Sequence, residues 1–179
     1  FLTSGLFLGW TLGANDASNV FGSAVGSRMV SFTRAAVIAS VFVILGAVLQ
    51  GSGAADTLDR LGSVNAMGGA FTVALAAGLT VYSMTRAGLP VSTTQAIVGA
   101  IIGWNFFTNN AVETRALTQI VTTWITGPVL GALFAYGLYH LVKVMRRRIT
   151  IHLIRYESWL RRGLMIAGAF GAYSLGANN

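Results

Sequence analysis

The sequence predicts an all-α protein: a polytopic transmembrane helical bundle with inverted-topology repeats and broken or re-entrant helices. Three observations lead there. Of 179 residues, 54% are hydrophobic and only 9% are charged, against about 25% charged in a soluble domain. Charge-free runs recur along the chain at lengths that a bilayer demands. One decapeptide also returns late in the chain, after an odd number of expected membrane crossings. The composition excludes a soluble domain, a disordered tail and a disulfide-stapled scaffold. With no cysteine, thiol catalysis, iron–sulfur clusters and Cys-based zinc sites drop out. His140 and His152 are too few and too far apart for a His-based site. No nucleophile–base pair is visible, so an enzyme is not expected.

A helix needs about 20 apolar residues to cross the hydrocarbon core. Runs 35–55, 61–85 and 116–142 qualify outright. Residues 1–27 qualify only if Asp16 is accepted inside the membrane. The run 87–112 is long enough, but Pro90 and a polar cluster interrupt its start. The run 163–179 reaches the last residue. No basic n-region opens the chain, so a secretory signal is not expected. Because it starts at Phe1, further residues are expected upstream.

The net charge of +7 and pI near 10.9 raise the question of nucleic acid, and position answers it. Lys143, Arg146, Arg147, Arg148, Arg155, Arg161 and Arg162 cluster between apolar stretches, which is the positive-inside signature. With the N-terminus outside, these residues and Arg28, Arg34 and Arg86 face the cytoplasm, leaving Arg60 and Arg115 outside. The expected setting is a multi-pass protein of the cell membrane with 143–162 cytoplasmic and no nucleic-acid partner. Within 146–163, Ile149, Leu153, Tyr156 and Leu160 form an apolar stripe and Arg148, Arg155 and Arg162 a basic one. That segment reads as a basic loop or as a helix lying in the lipid interface.

The segment FLGWTLGAND (7–16) recurs as FGAYSLGANN (170–179). Phe7/Phe170, Leu12/Leu175, Gly13/Gly176, Ala14/Ala177 and Asn15/Asn178 are identical, while Trp10/Tyr173 and Thr11/Ser174 are conservative pairs. Five expected crossings separate the copies, so they enter the membrane in opposite directions, as in secondary transporters built from inverted repeats. Three regions follow: a first repeat at 1–142, the basic segment at 143–162, and the first helix of a second repeat at 163–179. The chain is expected to be a fragment.

Two polar sites interrupt the apolar spans. In GANDASN (13–19), an ionised carboxylate within a span costs about 2.5–3.5 kcal/mol on insertion scales. Gly13 allows the helix to unwind, and Asp16 with Asn15, Asn19 and freed carbonyls would make a hard-oxygen cage for Na⁺ or a proton site. In LPVSTTQAIVGAIIG (89–103), Pro90 precedes Ser92, Thr93 and Thr94 at a helix start. Free N–H groups and about half a positive charge there favour an anion. Gly5-Gly9-Gly13, Gly22-Gly26, Gly99-Gly103 and Gly127-Gly131 have the spacing of close helix contacts. Pro128 is expected to kink its span.

GANDASNVFGSAVGSRMVSFTRAAVIASVFVILGAVLQG (13–51) closely resembles the signature block of the inorganic phosphate transporters, the PiT family of sodium- or proton-coupled symporters. LPVSTTQAIVGAIIG resembles that family's Pro-Val-Ser-Thr-Thr helix start. WITGPVLGALFAYGL (124–138) is similar to its following span, and GANN (176–179) to the opening of its second signature. The resemblance implies an inverted-repeat fold with phosphate held between repeats. Carried over by position, Asn15, Asn19, Ser92, Thr93, Thr94 and Asn178 would bind substrate. Asp16, Asn15, Gln95 and Asn179 would hold Na⁺. Gln95 stands where the family often has His, and Asn179 where many members carry a second Asp, which leaves the coupling ion open between Na⁺ and H⁺.

The function expected is import of inorganic phosphate by cation-coupled symport, Na⁺ favoured, with no other cofactor. A homodimer in the bilayer is an open option. The alternatives are a sulfate permease on the same scaffold and a non-transporting anion receptor or scaffold. The sequence beyond Asn179 is expected to contain a second hydroxyl-rich helix start, spaced from the second motif as Ser92 is from Asp16. Reading the continuation of the chain checks this, and a continuation lacking such a segment would count against the repeat.

Overall fold

The computed structural model describes residues 2–62, 64, 67–89, 91–148 and 153–178. Pro90 and Asn179 lie outside them, as do Ile149 and His152. The described residues form seven helices and no strand: α1 Leu2–Gly26, α2 Phe32–Gln50, α3 Ser52–Leu61, α4 Met67–Arg86, α5 Thr93–Phe107, α6 Thr114–Arg148 and α7 Leu153–Asn178. Helices α2, α4 and α6 are long and apolar enough to cross a membrane, and they fall on the three runs that qualify by sequence. Their apolar side chains point outward, among them Val37, Ile44 and Val48 on α2 and Leu133 and Phe134 on α6. Water would penalise that exposure and hydrocarbon does not. This is a helical membrane bundle.

Helix α1 ends in a turn where Met29 N–H donates to Ala24 O and Arg28 is left-handed, with φ 59°, an arrangement that closes the last carbonyls. The chain then returns as α2, whose Ala35 and Ala39 pack with Phe21 and Ala24 of α1 and Ala172 of α7. Helix α2 runs parallel to α7 in close contact. A Cβ at Gly46 would strike the backbone of Tyr173, and one at Gly176 the backbone of Val43. Helix α7 is antiparallel to α1: Gly168 meets Phe21, and Gly171 meets Val20. Continuing that register places residues 12–15 beside 175–178, pointing in opposite directions.

Helix α4 runs parallel to α1. Phe7 packs on Gly78, Phe7 and Trp10 lie 6.1 and 6.0 Å from the Tyr82 ring, and Asn15 bonds Val91. At the end of α4, Leu89 N–H donates to Met84 O, and Gly88 takes φ +72°, a conformation natural to glycine. The chain then reverses into α5. This turn sits beside Asn15 and Asp16, about 15 Å short of the end of α1 at 1.5 Å per residue. The sequence expects two full crossings here and a cytoplasmic Arg86. The structure shows α4 and α5 as a helical hairpin with Arg86 near its tip. Helix α5 has only 15 residues, about 22 Å, because Thr108, Asn109 and Asn110 close it.

Three expectations change. Helix α1 runs unbroken through 13–19 where unwinding at Gly13 is expected. Its polar side chains are accommodated inside the helix, Thr11 Oγ1 donating to Leu8 O and Ser18 Oγ to Asn15 O. Among the described residues of this chain the spaced glycine pairs make no close contact, since a Cβ at Gly5, Gly9, Gly13, Gly22, Gly26, Gly99, Gly103, Gly127 or Gly131 meets nothing within 4 Å. Such spacing makes a helix face narrow but does not choose its partner. The basic segment 143–162 divides between the end of α6 and the start of α7, with Arg146 over the Tyr156 ring at 5.7 Å. Ile149 of its apolar stripe lies outside the described residues.

Gly46→Ala is expected to push α2 from α7. The obstacle is backbone, which cannot rotate away, so the cost should be about 1–3 kcal/mol. The thermal unfolding midpoint of the full-length protein in detergent measures it, and an unchanged midpoint would contradict the close α2–α7 packing.

Candidate functional site

The α4–α5 turn carries a polar cluster into contact with the middle of α1. Asn15, 8% exposed, donates both amide hydrogens, to Asp16 Oδ1 at 2.8 Å and to Val91 O at 2.6 Å. Thr93, buried at 1% exposure, donates its hydroxyl to Asp16 Oδ2 at 2.9 Å. Both carboxylate oxygens thus accept from neutral donors. Among the described residues the ion pair is Arg161–Glu157, far along the chain from this carboxylate. A carboxylate held by neutral donors keeps its charge uncompensated, and a cation is the natural complement.

Ser92 caps α5, its Oγ accepting from Gln95 N–H at 3.3 Å. Ser92, Thr93 and Thr94 therefore stand at the positive end of a helix, where an anion is favoured. They line a cavity of about 570 Å³, walled on the α1 side by Asp16, Asn19 and Val20 and on the α7 side by Gly171, Ser174, Leu175 and Asn178. That volume falls within the ordinary range for small-molecule sites, about 300–1,000 Å³.

The structure brings together Asp16, Asn19, Ser92, Thr93, Thr94 and Asn178 around one cavity. Asn15 lies behind them as a brace between Asp16 and Val91. Gln95 engages the site through its backbone, its side chain is exposed, and it is not part of the cavity wall. Asn179 lies outside the described residues. Ser174 lines the cavity and was not among the residues singled out by sequence. The repeat contained the signal, because Ser174 pairs with Thr11 across the two copies. Its carbonyl accepts from Asn178 Nδ2 at 2.8 Å, which ties the two α7 residues together.

The phosphate transporter family matches residues 12–179, a stretch that includes the whole cluster. The chain belongs to that family. It is 33% identical over 142 residues to a Thermococcus kodakarensis protein with a phosphate-permease name, covering 74% of this chain and 35% of the relative. A similarly named Chlamydia trachomatis protein is 29% identical over 153 residues, 79% of this chain and 36% of the relative. A Plasmodium falciparum protein named a sodium-dependent phosphate transporter is 29% identical over 175 residues, 88% of this chain and 26% of the relative. The chain spans about a third of the length of these curated relatives. No solved structure matches it.

Thr93→Val keeps the branched shape and removes the donor to Asp16. The expected loss is about 1.5–3 kcal/mol, the range for a hydrogen bond to a charged group, with Thr93→Ser restoring most of it. Unfolding of the full-length protein in detergent reads this, and a Val variant as stable as its parent would show that the bond does not hold the hairpin.

Proposed function

We propose that this chain forms the first repeat, and opens the second, of a secondary transporter that imports inorganic phosphate with a cation, Na⁺ favoured over H⁺. The observation that supports it is the Asp16–Thr93 hydrogen bond, which sets a carboxylate directly against the anion-favouring start of α5. Residues 1–142 form the first repeat in this reading and 163–179 begin the inverted second one. The protein resides in the cell membrane with its N-terminus outside and 143–162 in the cytoplasm.

Phosphate occupies the cavity against Ser92 and Thr94, with Asn19 and Asn178 as side-chain donors. An anion there faces the charge on Asp16. Like unit charges about 4 Å apart repel by about 4 kcal/mol at an effective dielectric near 20. A cation between them turns that repulsion into mutual stabilisation, so each ligand strengthens the other by the same factor. The Asp16 carboxylate supplies one negative charge, with the Thr93 hydroxyl and the Asn19 amide as neutral oxygens, a set that suits one monovalent hard cation. Thr93 links the two ligands. Its single proton lies on Asp16, and a cation at Asp16 competes for that oxygen and releases the hydroxyl toward the anion. Alternating access follows from one repeat rocking against the other.

Asp16→Asn in the full-length protein tests this reading. The variant should insert into the membrane at the normal level and lose Na⁺-dependent uptake of labelled phosphate. Uptake that stays undiminished and Na⁺-dependent would remove Asp16 from the mechanism. Sulfate that competes as well as phosphate would favour a broader oxyanion carrier.

A further inference from the structure

A second cavity of about 420 Å³ lies on the other flank of α7, between it and the α2–α3 junction. Gln50 at the end of α2 and Gly53 and Ala54 in the first turn of α3 form one wall, and Phe170, Tyr173 and Ala177 the other. Ser174 and Asn178 line both cavities. They are one helical turn apart on α7, so they form a ridge between the face turned to α2 and α3 and the face turned to α1.

We propose that this second cavity is the antechamber through which phosphate reaches the site beside Asp16, with Ser174 and Asn178 as its threshold. The proposal rests on the reading of the larger cavity as the phosphate site. Three features support it. The two cavities share the polar side chains of Ser174 and Asn178, and the Asn178 amide is held back on the Ser174 carbonyl of its own helix. Rotating the Asn178 side chain costs that one hydrogen bond, about 0.5–1.5 kcal/mol, and needs no separation of packed helices. The cavity also begins where tight packing ends. Helices α2 and α7 touch backbone to backbone at Gly46 and Gly176, and Gln50 lies one turn beyond that seal. Finally, no carboxylate is among the described residues that line the antechamber, so along them an anion meets the amides of Gln50 and Asn178 before it stands beside Asp16.

Cysteine accessibility in the reconstituted full-length carrier tests this, with any cysteines outside this cysteine-free stretch replaced. Gly53→Cys is suitable because a Cβ there meets nothing within 4 Å, and Gln50→Cys provides an independent position. Val20→Cys reports on the site cavity itself. The reagent is an anionic methanethiosulfonate added to both faces of the vesicles. Modification at Gly53→Cys and Gln50→Cys should lower uptake of labelled inorganic phosphate at least tenfold, and phosphate with Na⁺ should slow that modification several-fold. If phosphate protects Val20→Cys while both antechamber positions are modified at unchanged rate, or are not modified at all, the antechamber is overturned and the phosphate site stands. Modified antechamber positions with uptake intact overturn it in the same way. Protection at none of the three positions overturns both readings.

Discussion

The hydrogen bond from Thr93 to Asp16 is the contact on which the arrangement of this chain depends. It ties the start of a short helix to the middle of a long one, and Asn15 doubles it by bonding Asp16 and Val91 at once. Without that anchor, the α4–α5 turn would have to satisfy its backbone in an apolar medium unaided, at several kcal/mol for each unpaired group. The hairpin can therefore stop partway along α1 because α1 carries a carboxylate and an amide at that level. In turn, the charge of Asp16 is tolerated because the hairpin delivers donors to it. Each half makes the other permissible.

Around this anchor the bundle divides into two small cores. One joins Phe21, Ala24, Ala35, Ala39 and Ala172 where α1, α2 and α7 meet. The other joins Leu61, Val98, Ile101, Ala116 and Ile120 from α3, α5 and α6. Apart from Phe21 and Val30, the first is built of alanine, and the glycines beside it bring backbones close. The second is built of larger side chains, with Trp104 laid on Gly69. The site cavity is bounded by α1, α7 and the hairpin start, so the closely packed core supports two of its three walls.

Much of this was legible in the sequence because polar residues in an apolar run have few innocent explanations. Asp16, Asn19, Ser92, Thr93 and Thr94 stand out for that reason and Asn178 through the repeat and the family resemblance, and all six gather at one cavity. Depth was not legible. Hydropathy measures how long a segment is and says nothing of where its turn lies against a neighbour, so the level of the α4–α5 turn beside Asn15 and Asp16 could not be read from it. Contact partners were equally hidden. Paired glycines have the spacing of interfaces, whereas the tight helix contacts within this chain include Gly46, Gly69, Gly78, Gly168 and Gly176, whose significance lies in what the facing helix presents. The continuity of α1 through Gly13 was missed because the hydroxyls of Thr11 and Ser18 satisfy themselves on carbonyls within the same helix. Ser174 escaped notice because a lone serine in an apolar helix has no signal beyond its repeat partner.

Helix α6 has a mechanical consequence. Its buried residues, Ala116 and Ile120, lie near its start, and the helix then continues to Arg148, about 42 Å beyond Ile120 at the helical rise. Pro128 stands two turns past Ile120 and deprives the Trp124 carbonyl of its usual partner. The result is a long arm held near its start by Ala116 and Ile120 and met again at its far end, where Arg146 lies over the Tyr156 ring. The softened joint sits next to the first hold, so bending at Pro128 would move the basic end of α6 and the start of α7 together.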